Sequence, residues 1–418
     1  MNKFQNKKVA ILGYGLEGQD VEKYFLSIGI KPSILDQKND LNYLSRLKDF
    51  DVIVRSPGVY RYKKEIVDAE KSGIIITSPI KIFFENCKAK IIGVTGTKGK
   101  GTTSTLIYEI LKVDGRDVYL SGNIGKPYLE LLPKLTKDSF VVMEMSSFQL
   151  IDLDRSPNIA VVLNITSDHM DWHKNQEEYI NAKKNIVRYQ KQKDYLIVNS
   201  EYKSSIDFAD ETKANIIYVS KKTLDKKFKN GTTLRGEHNQ ENIVMAVEVA
   251  RILNINEEKI EKVVIGFKGL EHRLEFVNEV VGIKFYNDSF ATGPQPTIAA
   301  VNSFTEPETL ILGGSDKGLN YQELGDVVNK TKNIKNVVLI GVTGPIINKY
   351  LDSNLQFTIY NLQKTNMEEI VKKTFDITPK GGVIVLSPAS ASFDMFKNYK
   401  DRGNQFKKAV QSLLNEQK

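Results

Sequence analysis

Short apolar runs rich in β-branched residues recur along the chain and alternate with stretches of helical periodicity. The helical stretches, such as 102–115 and 322–333, place apolar residues three and four positions apart. Regular alternation of this kind predicts an α/β fold with helices on both faces of parallel sheets. The nine runs predicted to be buried parallel strands are 8–12, 51–56, 90–96, 140–145, 159–165, 194–199, 309–314, 336–341 and 382–388.

The same pattern divides the chain into three blocks, since 418 residues are too many for one ordinary core. A strand, a glycine turn and a helix open the chain, and the same series of elements starts again at Lys90. Another block follows the segment 266–273. We therefore predict an N-terminal Rossmann-like domain at 1–88, a central domain of the P-loop ATPase type at 89–268 and a C-terminal Rossmann-like domain at 269–418.

Composition narrows the class of protein. The net charge of +8 comes mostly from lysine, in runs such as 221–229 that are typical of a solvated surface. A stripe of aromatic and basic residues for stacking bases is absent from the sequence, so we expect an anionic small molecule and no nucleic acid as partner. The single cysteine, Cys87, excludes an internal disulfide. Without a signal sequence or an apolar run of about 18 residues, a soluble cytoplasmic protein is expected.

The segment GVTGTKGKGTTS at 93–104 lies between a predicted strand and a predicted helix, the setting of a phosphate-binding loop. Backbone N–H groups at the start of the helix would face an anion, and Lys100 would reach the β- and γ-phosphates. The usual loop has Ser or Thr directly after its lysine, but here Gly101 intervenes before Thr102 and Thr103. A glycine turn that binds no nucleotide is the alternative.

Polar side chains also follow two predicted strands of the central block. Glu144 ends one strand, and His169 follows the next in the segment LNITSDHMDWH. Ligands of α/β enzymes bind at the carboxyl ends of parallel strands, so both residues are candidate metal ligands, whereas we expect His173 to be exposed. A predicted helix with two adjacent lysines, Lys183 and Lys184, comes next. A lysine beside metal ligands requires that its charge be removed or paired with phosphate.

Further candidates lie on either side of this block. GYGLEG at 13–18 follows the first strand, which is the GxGxxG pattern of a dinucleotide fold or a plain glycine turn. Asn239 and Asn242 lie three residues apart at a predicted helix start, where they would contact a base or cap the helix. Arg273 is suited to a phosphate or ribose, and Asp288 follows a strand.

The set of motifs, in this order, resembles the Mur ligase family, the ATP-dependent enzymes that build the peptide of the bacterial cell wall. The resemblance covers nearly the whole chain. The motifs also keep the family's order, from the phosphate loop to the HR pair that opens the last block. GNIG, EMSSFQL, DHMDWH and SPASASFDMFKNYKDRGNQF resemble the branch that adds D-glutamate to UDP-N-acetylmuramoyl-L-alanine. This resemblance implies an amide ligase that forms an acyl phosphate and releases ADP and phosphate. The enzyme would act in peptidoglycan precursor synthesis, and we expect it to be a monomer.

The resemblance also assigns residues. ATP phosphates would bind Lys100, and two Mg²⁺ ions would be held by Thr102, Glu144, His169 and a carbamate that CO₂ forms on Lys183. The implied ATP-binding residues are Gly96, Thr97, Lys98, Gly99, Lys100, Gly101, Thr102, Thr103, Asn239, Asn242, Arg273 and Asp288. The implied substrate-binding residues are Gly15, Leu16, Asp36, Ser56, Pro57, Gly58, Asn123, Ser147, Gln149 and His169, with Lys317, Ser392 and Tyr399 for D-glutamate. The N-terminal block would then hold UDP, and the C-terminal block would close onto the central one.

Several positions depart from the family pattern, among them Gly293 in DSFATG and Lys98, which replaces the usual loop asparagine. Gly101 is shared with folylpolyglutamate synthases, which read GKG followed by Ser, and this supports Thr102 as the hydroxyl for Mg²⁺. Phe290 replaces the lysine of the family motif DSKATN, a contact that Lys98 could supply instead. Tyr399 stands where phenylalanine is common. A folylpolyglutamate synthase and a nucleotide-binding regulatory protein without catalysis remain the alternatives.

Overall fold

The apolar runs form the strands of three sheets in the computed structural model, which describes residues 3–352, 356–363 and 365–417. Each of the nine predicted strands is present, with its bounds shifted by three residues at most. Along the chain, the sheets are N-terminal, central and C-terminal, with helices between their strands, which confirms the predicted α/β fold class.

The first two sheets are parallel throughout. The first has β1 (Val9–Leu12), β2 (Ser33–Leu35), β3 (Val52–Arg55) and β4 (Ile75–Thr77), in the order β2-β1-β3-β4. The second has β5 (Lys90–Thr95), β6 (Val118–Gly122), β7 (Phe140–Glu144), β8 (Ile159–Val162), β9 (Tyr195–Asn199) and β10 (Asn215–Val219), in the order β10-β9-β8-β5-β7-β6.

The third sheet departs from the parallel prediction at one edge. Its strands are β11 (Glu275–Val280), β12 (Ile283–Asn287), β13 (Glu308–Gly313), β14 (Ile334–Ile340), β15 (Thr358–Asn361) and β16 (Val383–Leu386), in the order β11-β12-β16-β13-β14-β15. β11 pairs antiparallel with β12, because Val281 and Gly282 join them in a two-residue turn with φ of 49° and 80°. Two successive positive φ values suit the twist of a tight hairpin.

Helices connect the strands and bury their apolar faces against the sheets. They are α1 (Leu16–Ser27), α2 (Lys64–Lys71), α3 (Pro79–Asn86), α4 (Lys100–Val113), α5 (Ser147–Leu150), α6 (Gln176–Arg188), α7 (Lys203–Ile206), α8 (Lys226–Gly231), α9 (Glu237–Ile252), α10 (Glu257–Gly266), α11 (Pro294–Val301), α12 (Gln322–Lys330), α13 (Gly344–Asn348), α14 (Met367–Ile377) and α15 (Tyr399–Glu416). In the part of the chain that the structure describes, none of these helices is long and apolar enough to cross a bilayer.

The chain forms two compact units. Unit 1 comprises 1–225 and 241–263 and holds the first two sheets, while unit 2 comprises 226–240 and 264–418 and holds the third. In unit 1, β5 lies between β8 and β7, so the loops that follow these three strands meet at one edge of the sheet. The predicted phosphate loop follows β5, and the histidine segment follows β8. The predicted acidic residue, Glu144, is the last residue of β7.

Candidate functional site

The loop between β5 and α4 depends on two glycines. Gly96 and Gly99 have φ of 154° and 84°, a region that L side chains rarely adopt. A Cβ atom on Gly96 would lie 2.7 Å from Leu163 Cβ, and one on Gly99 would lie 2.2 Å from Asn242 Oδ1. Since Gly99 is the N-cap of α4, its missing side chain leaves the first backbone N–H groups of the helix to an outside acceptor. A phosphate-binding loop requires this arrangement.

Two lysines converge on one carbonyl oxygen of this loop. Lys100 Nζ donates to the carbonyl oxygens of Gly96 at 3.1 Å and Thr97 at 2.9 Å. Lys183 Nζ donates to the same Gly96 oxygen at 3.1 Å and to Thr95 Oγ1 at 3.3 Å. Burial, and then the nearby charge of Lys100, hold the pKa of Lys183 well below its usual value. Both causes disfavour the charged form of the Lys183 amine, relative to an exposed lysine.

The two threonines of the loop differ in their surroundings. Thr103 is fully buried, and its Oγ1 lies 3.3 Å from Asn242 Oδ1. Thr102 is only partly buried on the first turn of α4. Because the hydroxyl of Thr103 is committed inside the protein, Thr102 is the better placed of the two for an outside ligand.

Glu144 ends β7 beside the loop that contains Asn123. The Glu144 carbonyl oxygen accepts a hydrogen bond from the Asn123 N–H at 3.1 Å, and the side chain of Asn123 is exposed. The two backbone segments approach so closely here that a Cβ atom on Gly122 would lie 2.1 Å from the Glu144 carbonyl oxygen. The Glu144 side chain is largely buried, and its negative charge acts on the Lys183 amine.

The two histidines of the segment after β8 lie in opposite environments. His169 is exposed, has φ of 57°, and packs its ring 4.7 Å from that of Phe148. The prediction that His173 is exposed is wrong, since only 2% of that residue is accessible. Its Nε2 lies 2.8 Å from Ser147 Oγ and its Nδ1 lies 3.2 Å from Glu178 Oε1, and burial lowers its pKa. Ser147 is thus paired with a histidine that sequence spacing does not reveal.

In the described ranges, three or more His, Cys, Asp or Glu side chains nowhere gather as ready metal ligands. The predicted set contains only one carboxylate and one imidazole, Glu144 and His169. A third strong ligand would have to be made at Lys183. The lowered pKa makes the neutral amine, which is the nucleophilic form, more accessible at Lys183 than at an exposed lysine.

The glycine turn at 13–18 is built around Asp36 rather than left open. The Asp36 carboxylate accepts the N–H of Tyr14 at 2.6 Å and that of Lys38 at 2.8 Å, and these donors lower its pKa. Ser56 Oγ donates to the Gly13 carbonyl oxygen at 2.6 Å. Leu16, at the start of α1, is 84% exposed.

Arg55 organises the predicted SPG loop and was missed by sequence reasoning. Its guanidinium is fully buried and donates to the carbonyl oxygens of Ser56 at 3.1 Å and Val59 at 2.5 Å. Nε donates to Asp152 at 2.7 Å, and Nη2 donates to the Phe148 carbonyl oxygen at 3.0 Å. The only signal in the sequence is an arginine at the end of an otherwise apolar strand.

The amide of Gln149 is engaged within the protein. Its Oε1 accepts the N–H of Ser146 at 3.0 Å in a capping box of α5, and its Nε2 donates to Glu17 Oε1 at 2.7 Å. Tyr128 also donates to the Glu17 carboxylate, whose pKa is raised by burial. Gln149 thus joins α5 to α1 in this structure.

Asn239 and Asn242 lie inside α9 rather than at its N-cap, because the helix begins at Glu237. Asn239 Nδ2 donates to the Arg235 carbonyl oxygen at 2.7 Å, and both asparagines are buried. The capping alternative therefore does not describe this pair.

In unit 2, Asp288 follows β12 and ties three segments together. Its carboxylate accepts Ser387 Oγ at 2.7 Å and the Leu274 N–H at 3.0 Å. Burial raises the pKa of Asp288 to about 7. Arg273, the residue before Leu274, has an exposed side chain whose guanidinium carbon lies 4.0 Å from the ring centroid of Phe290.

The three residues predicted for D-glutamate follow two strands of the third sheet. Lys317 is exposed in the loop after β13, whereas Ser392 is buried in the segment after β16. Tyr399 is the first residue of α15, and its carbonyl oxygen accepts Ser289 Oγ at 2.8 Å. All three belong to unit 2, while the predicted phosphate loop and Lys183 belong to unit 1.

Arg402 fixes these segments and was also missed by sequence reasoning. The guanidinium is fully buried and donates to Ser289 Oγ at 2.9 Å and to the Ser289 carbonyl oxygen at 2.8 Å. It also donates at 3.1 Å to the carbonyl oxygens of both Ser390 and Ala391. Burial lowers its pKa to about 10, so it stays charged at neutral pH. One side chain of α15 therefore crosslinks the loops after β12 and β16.

The sequence is similar to those of named ligases along its whole length. It is 40% identical to the UDP-N-acetylmuramoylalanine–D-glutamate ligase of Acetivibrio thermocellus, over 98% of this chain and 97% of that protein. The enzyme of the same name from Ruminiclostridium cellulolyticum is 36% identical, with the same coverage. Residues 94–266 match the family described as the Mur ligase middle domain.

Solved structures share the fold at low sequence identity. The UDP-N-acetylmuramate-alanine ligase MurC from Thermotoga maritima has a TM-score of 0.60 and 18% identity, covering 97% of this chain and all of that chain. The MurF ligase from the same organism, solved in complex with ADP, has a TM-score of 0.57 and 17% identity, covering 98% of this chain and 95% of that chain. The phosphate loop, the full-length similarity and the three-sheet layout agree: the chain belongs to the Mur ligase family.

Proposed function

We propose that the protein is an ATP-dependent amide ligase that adds D-glutamate to UDP-N-acetylmuramoyl-L-alanine, as a cytoplasmic monomer in peptidoglycan precursor synthesis. The observation that carries this proposal is the 40% identity, over nearly the whole chain, to a protein named for that reaction. The glycine loop and the two lysines on the Gly96 carbonyl oxygen give the proposal its chemistry.

The reaction begins with phosphoryl transfer, because a carboxylate is a poor acylating agent. ATP phosphorylates the L-alanyl carboxylate, the amine of D-glutamate attacks the resulting acyl phosphate, and phosphate leaves. Lys100 and the N–H groups at the start of α4 neutralise charge on the transferring group, so catalysis is mainly electrostatic and positional. Lys100 releases the Gly96 and Thr97 oxygens when it turns to the phosphates.

The chain offers residues that fit two Mg²⁺ ions. Thr102 and Glu144 would hold one ion, and His169 and a carbamate on Lys183 would hold the other. When bound, the ions neutralise charge on the phosphates. The fit rests on the Lys183 amine, which is buried beside Lys100 and has a pKa well below its usual value. A neutral amine can add to CO₂ and release a proton to solvent, and the resulting carbamate would be an anion beside the phosphate loop instead of a second cation.

Substrate contacts are divided between the two units. We assign the UDP part of the substrate to the turn at 13–18, Asp36 and the loop at 56–58. Arg55 donates a hydrogen bond to the Ser56 carbonyl oxygen of that loop. D-Glutamate is assigned to Lys317, Ser392 and Tyr399, and ATP to the phosphate loop, Asn239, Asn242, Arg273 and Asp288.

The test is release of phosphate from ATP with UDP-N-acetylmuramoyl-L-alanine and Mg²⁺, compared for D-glutamate, L-glutamate and no amino acid. We expect release that depends on D-glutamate. Release with a folate substrate and glutamate instead would indicate a folylpolyglutamate synthase. ATP binding without turnover on any substrate would indicate a regulatory protein and overturn the proposal.

A further inference from the structure

Arg273 lies in a backbone turn that is strained on both sides. His272 and Leu274, its two neighbours, have φ of 65° and 44°, although neither is glycine. Left-handed conformations of such residues persist only where surrounding contacts hold them, and they cluster at functional sites. The turn points an arginine outward from two buried or half-buried neighbours.

The contacts that hold this turn come from the last residue of β12 and the segment that follows it. The His272 carbonyl oxygen accepts the N–H of Phe290 at 2.9 Å, and the Leu274 N–H donates to Asp288 at 3.0 Å. The His272 ring lies 2.9 Å from Asn287 Nδ2. The backbone on either side of Arg273 is thus fixed, but these hydrogen bonds leave its long side chain undetermined.

Phe290 supplies the contact that the backbone does not. The guanidinium carbon of Arg273 lies 4.0 Å from the centre of its ring, within cation–π distance. The edge-to-face contact with Tyr399, at 5.0 Å between centroids and 86° between planes, fixes the orientation of the Phe290 ring. Phe290 remains 39% exposed, so its ring is not simply a part of the core.

We propose that Phe290 is a positioning residue, whose ring face holds the Arg273 guanidinium in the orientation that binds the phosphate or ribose of ATP. The inference rests on the proposed role of Arg273 in nucleotide binding. It gives a physical reason for an aromatic ring at a position where the family motif has lysine: the ring adds no charge of its own and instead aims a charge that is already present.

The experiment is a double-mutant cycle between F290L and R273A, measured as kcat/KM for ATP and as the Kd for ADP. F290L keeps an apolar side chain but removes the ring face, whereas F290Y keeps the ring and serves as the conservative variant. We expect F290L to lower kcat/KM for ATP about two- to fivefold, the size of an exposed cation–π contact. F290Y should keep the value of the unaltered protein. In the R273A background, F290L should have no further effect.

Each other outcome has a defined meaning. An equal effect of F290L in both backgrounds, or one confined to the KM for D-glutamate, overturns the inference, because the ring then acts through Tyr399 or through stability. If R273A weakens ADP binding and F290L does not, the inference fails while the proposed role of Arg273 stands. If R273A leaves ADP binding unchanged, the role of Arg273 fails, and the inference fails with it. Turnover that depends on D-glutamate in the unaltered protein tests the proposed reaction separately.

Discussion

Glu308 is a buried carboxylic acid that the proposed chemistry does not use. It is the first residue of β13, at the end of the strand opposite the functional loops, and it is fully buried. Among the described residues neither of its carboxyl oxygens has a hydrogen-bond partner. Burial, with a smaller contribution from Glu306, raises its pKa to about 8. The protonated form is therefore favoured in the folded protein at neutral pH.

This raised pKa predicts a dependence of stability on pH. The folded state keeps the proton of Glu308 up to about pH 8, while the unfolded chain loses it near the usual value of 4.5. The free energy of unfolding should therefore fall as the pH rises through this window. We expect E308Q to remove this dependence and to be more stable than the unaltered protein at pH 9 by about 1–3 kcal/mol. Denaturant titrations at pH 5, 7 and 9 measure the effect.

The exposed residue Glu368 provides the matched control. E368Q should show the pH dependence of the unaltered protein. If the free energies of unfolding of E308Q and E368Q depend on pH in the same way from pH 5 to pH 9, the prediction is wrong. Glu308 would then not be the source of the pH dependence.

Single residues could be predicted where their role depends on local sequence. The glycines, Lys100 and Thr102 follow from one continuous stretch, and the environments of Thr102 and Thr103 favour the predicted choice. Arg55 and Arg402 could not be predicted, because each gathers carbonyl oxygens from segments far apart in the chain. The prediction that His173 is exposed was wrong for the same reason, because its partner Ser147 lies 26 residues away in the chain.

At the scale of elements, α15 packs directly against the turn that carries Arg273 at Gly403, the fifth residue of the helix. A Cβ atom on Gly403 would lie 2.2 Å from Nδ1 of the buried His272 ring. Overpacking of this kind typically costs about 1–3 kcal/mol. We expect G403A to lower the free energy of unfolding by that amount and to raise the KM for ATP, because the displaced ring releases the Arg273 turn.

The control is G266A at the end of α10, where a Cβ atom would meet no described atom within 4 Å. Thermal unfolding and steady-state kinetics of both variants separate the effects. A G403A protein with unaltered stability and KM would show that His272 has room to move.

Elements were predicted well where burial on both faces gives a strand one continuous apolar run. Strands of three residues, β2 and β4, are too short to show a pattern. The antiparallel β11 was not predicted, because its direction depends on two left-handed residues and not on hydrophobicity.

At the scale of the whole molecule, the proposed function assigns ligand contacts to residues of both compact units. Acyl transfer requires the reacting atoms to lie about 3–3.5 Å apart. We therefore expect an ATP analogue, the UDP substrate and D-glutamate together to narrow the distribution of distances between the units. Spin labels at K137C in unit 1 and K332C in unit 2, both exposed lysine positions, would report it.

The natural cysteine does not interfere with this measurement. Burial raises the pKa of Cys87 to about 11, so its thiol reacts slowly at neutral pH. Replacing D-glutamate by L-glutamate is the matched control. A distribution that stays equally broad with all ligands bound would contradict the expected closure.

The predicted domain boundaries follow repeats of the strand–turn–helix pattern. The division into compact units depends instead on which segments pack together, and 226–240 belongs to unit 2 although the residues on both sides belong to unit 1. A sequence pattern identifies sheets but does not show which sheets share an interface.

The position of Arg402 also has a consequence in time. It crosslinks a loop that precedes it by 113 residues. At the usual pace of synthesis, about 5–20 residues per second, the Ser289 loop leaves the ribosome on the order of ten seconds before the side chain that secures it. The third sheet can begin to form in that interval, but the proposed D-glutamate pocket cannot. A nascent chain is therefore unable to hold the amino acid until α15 has emerged.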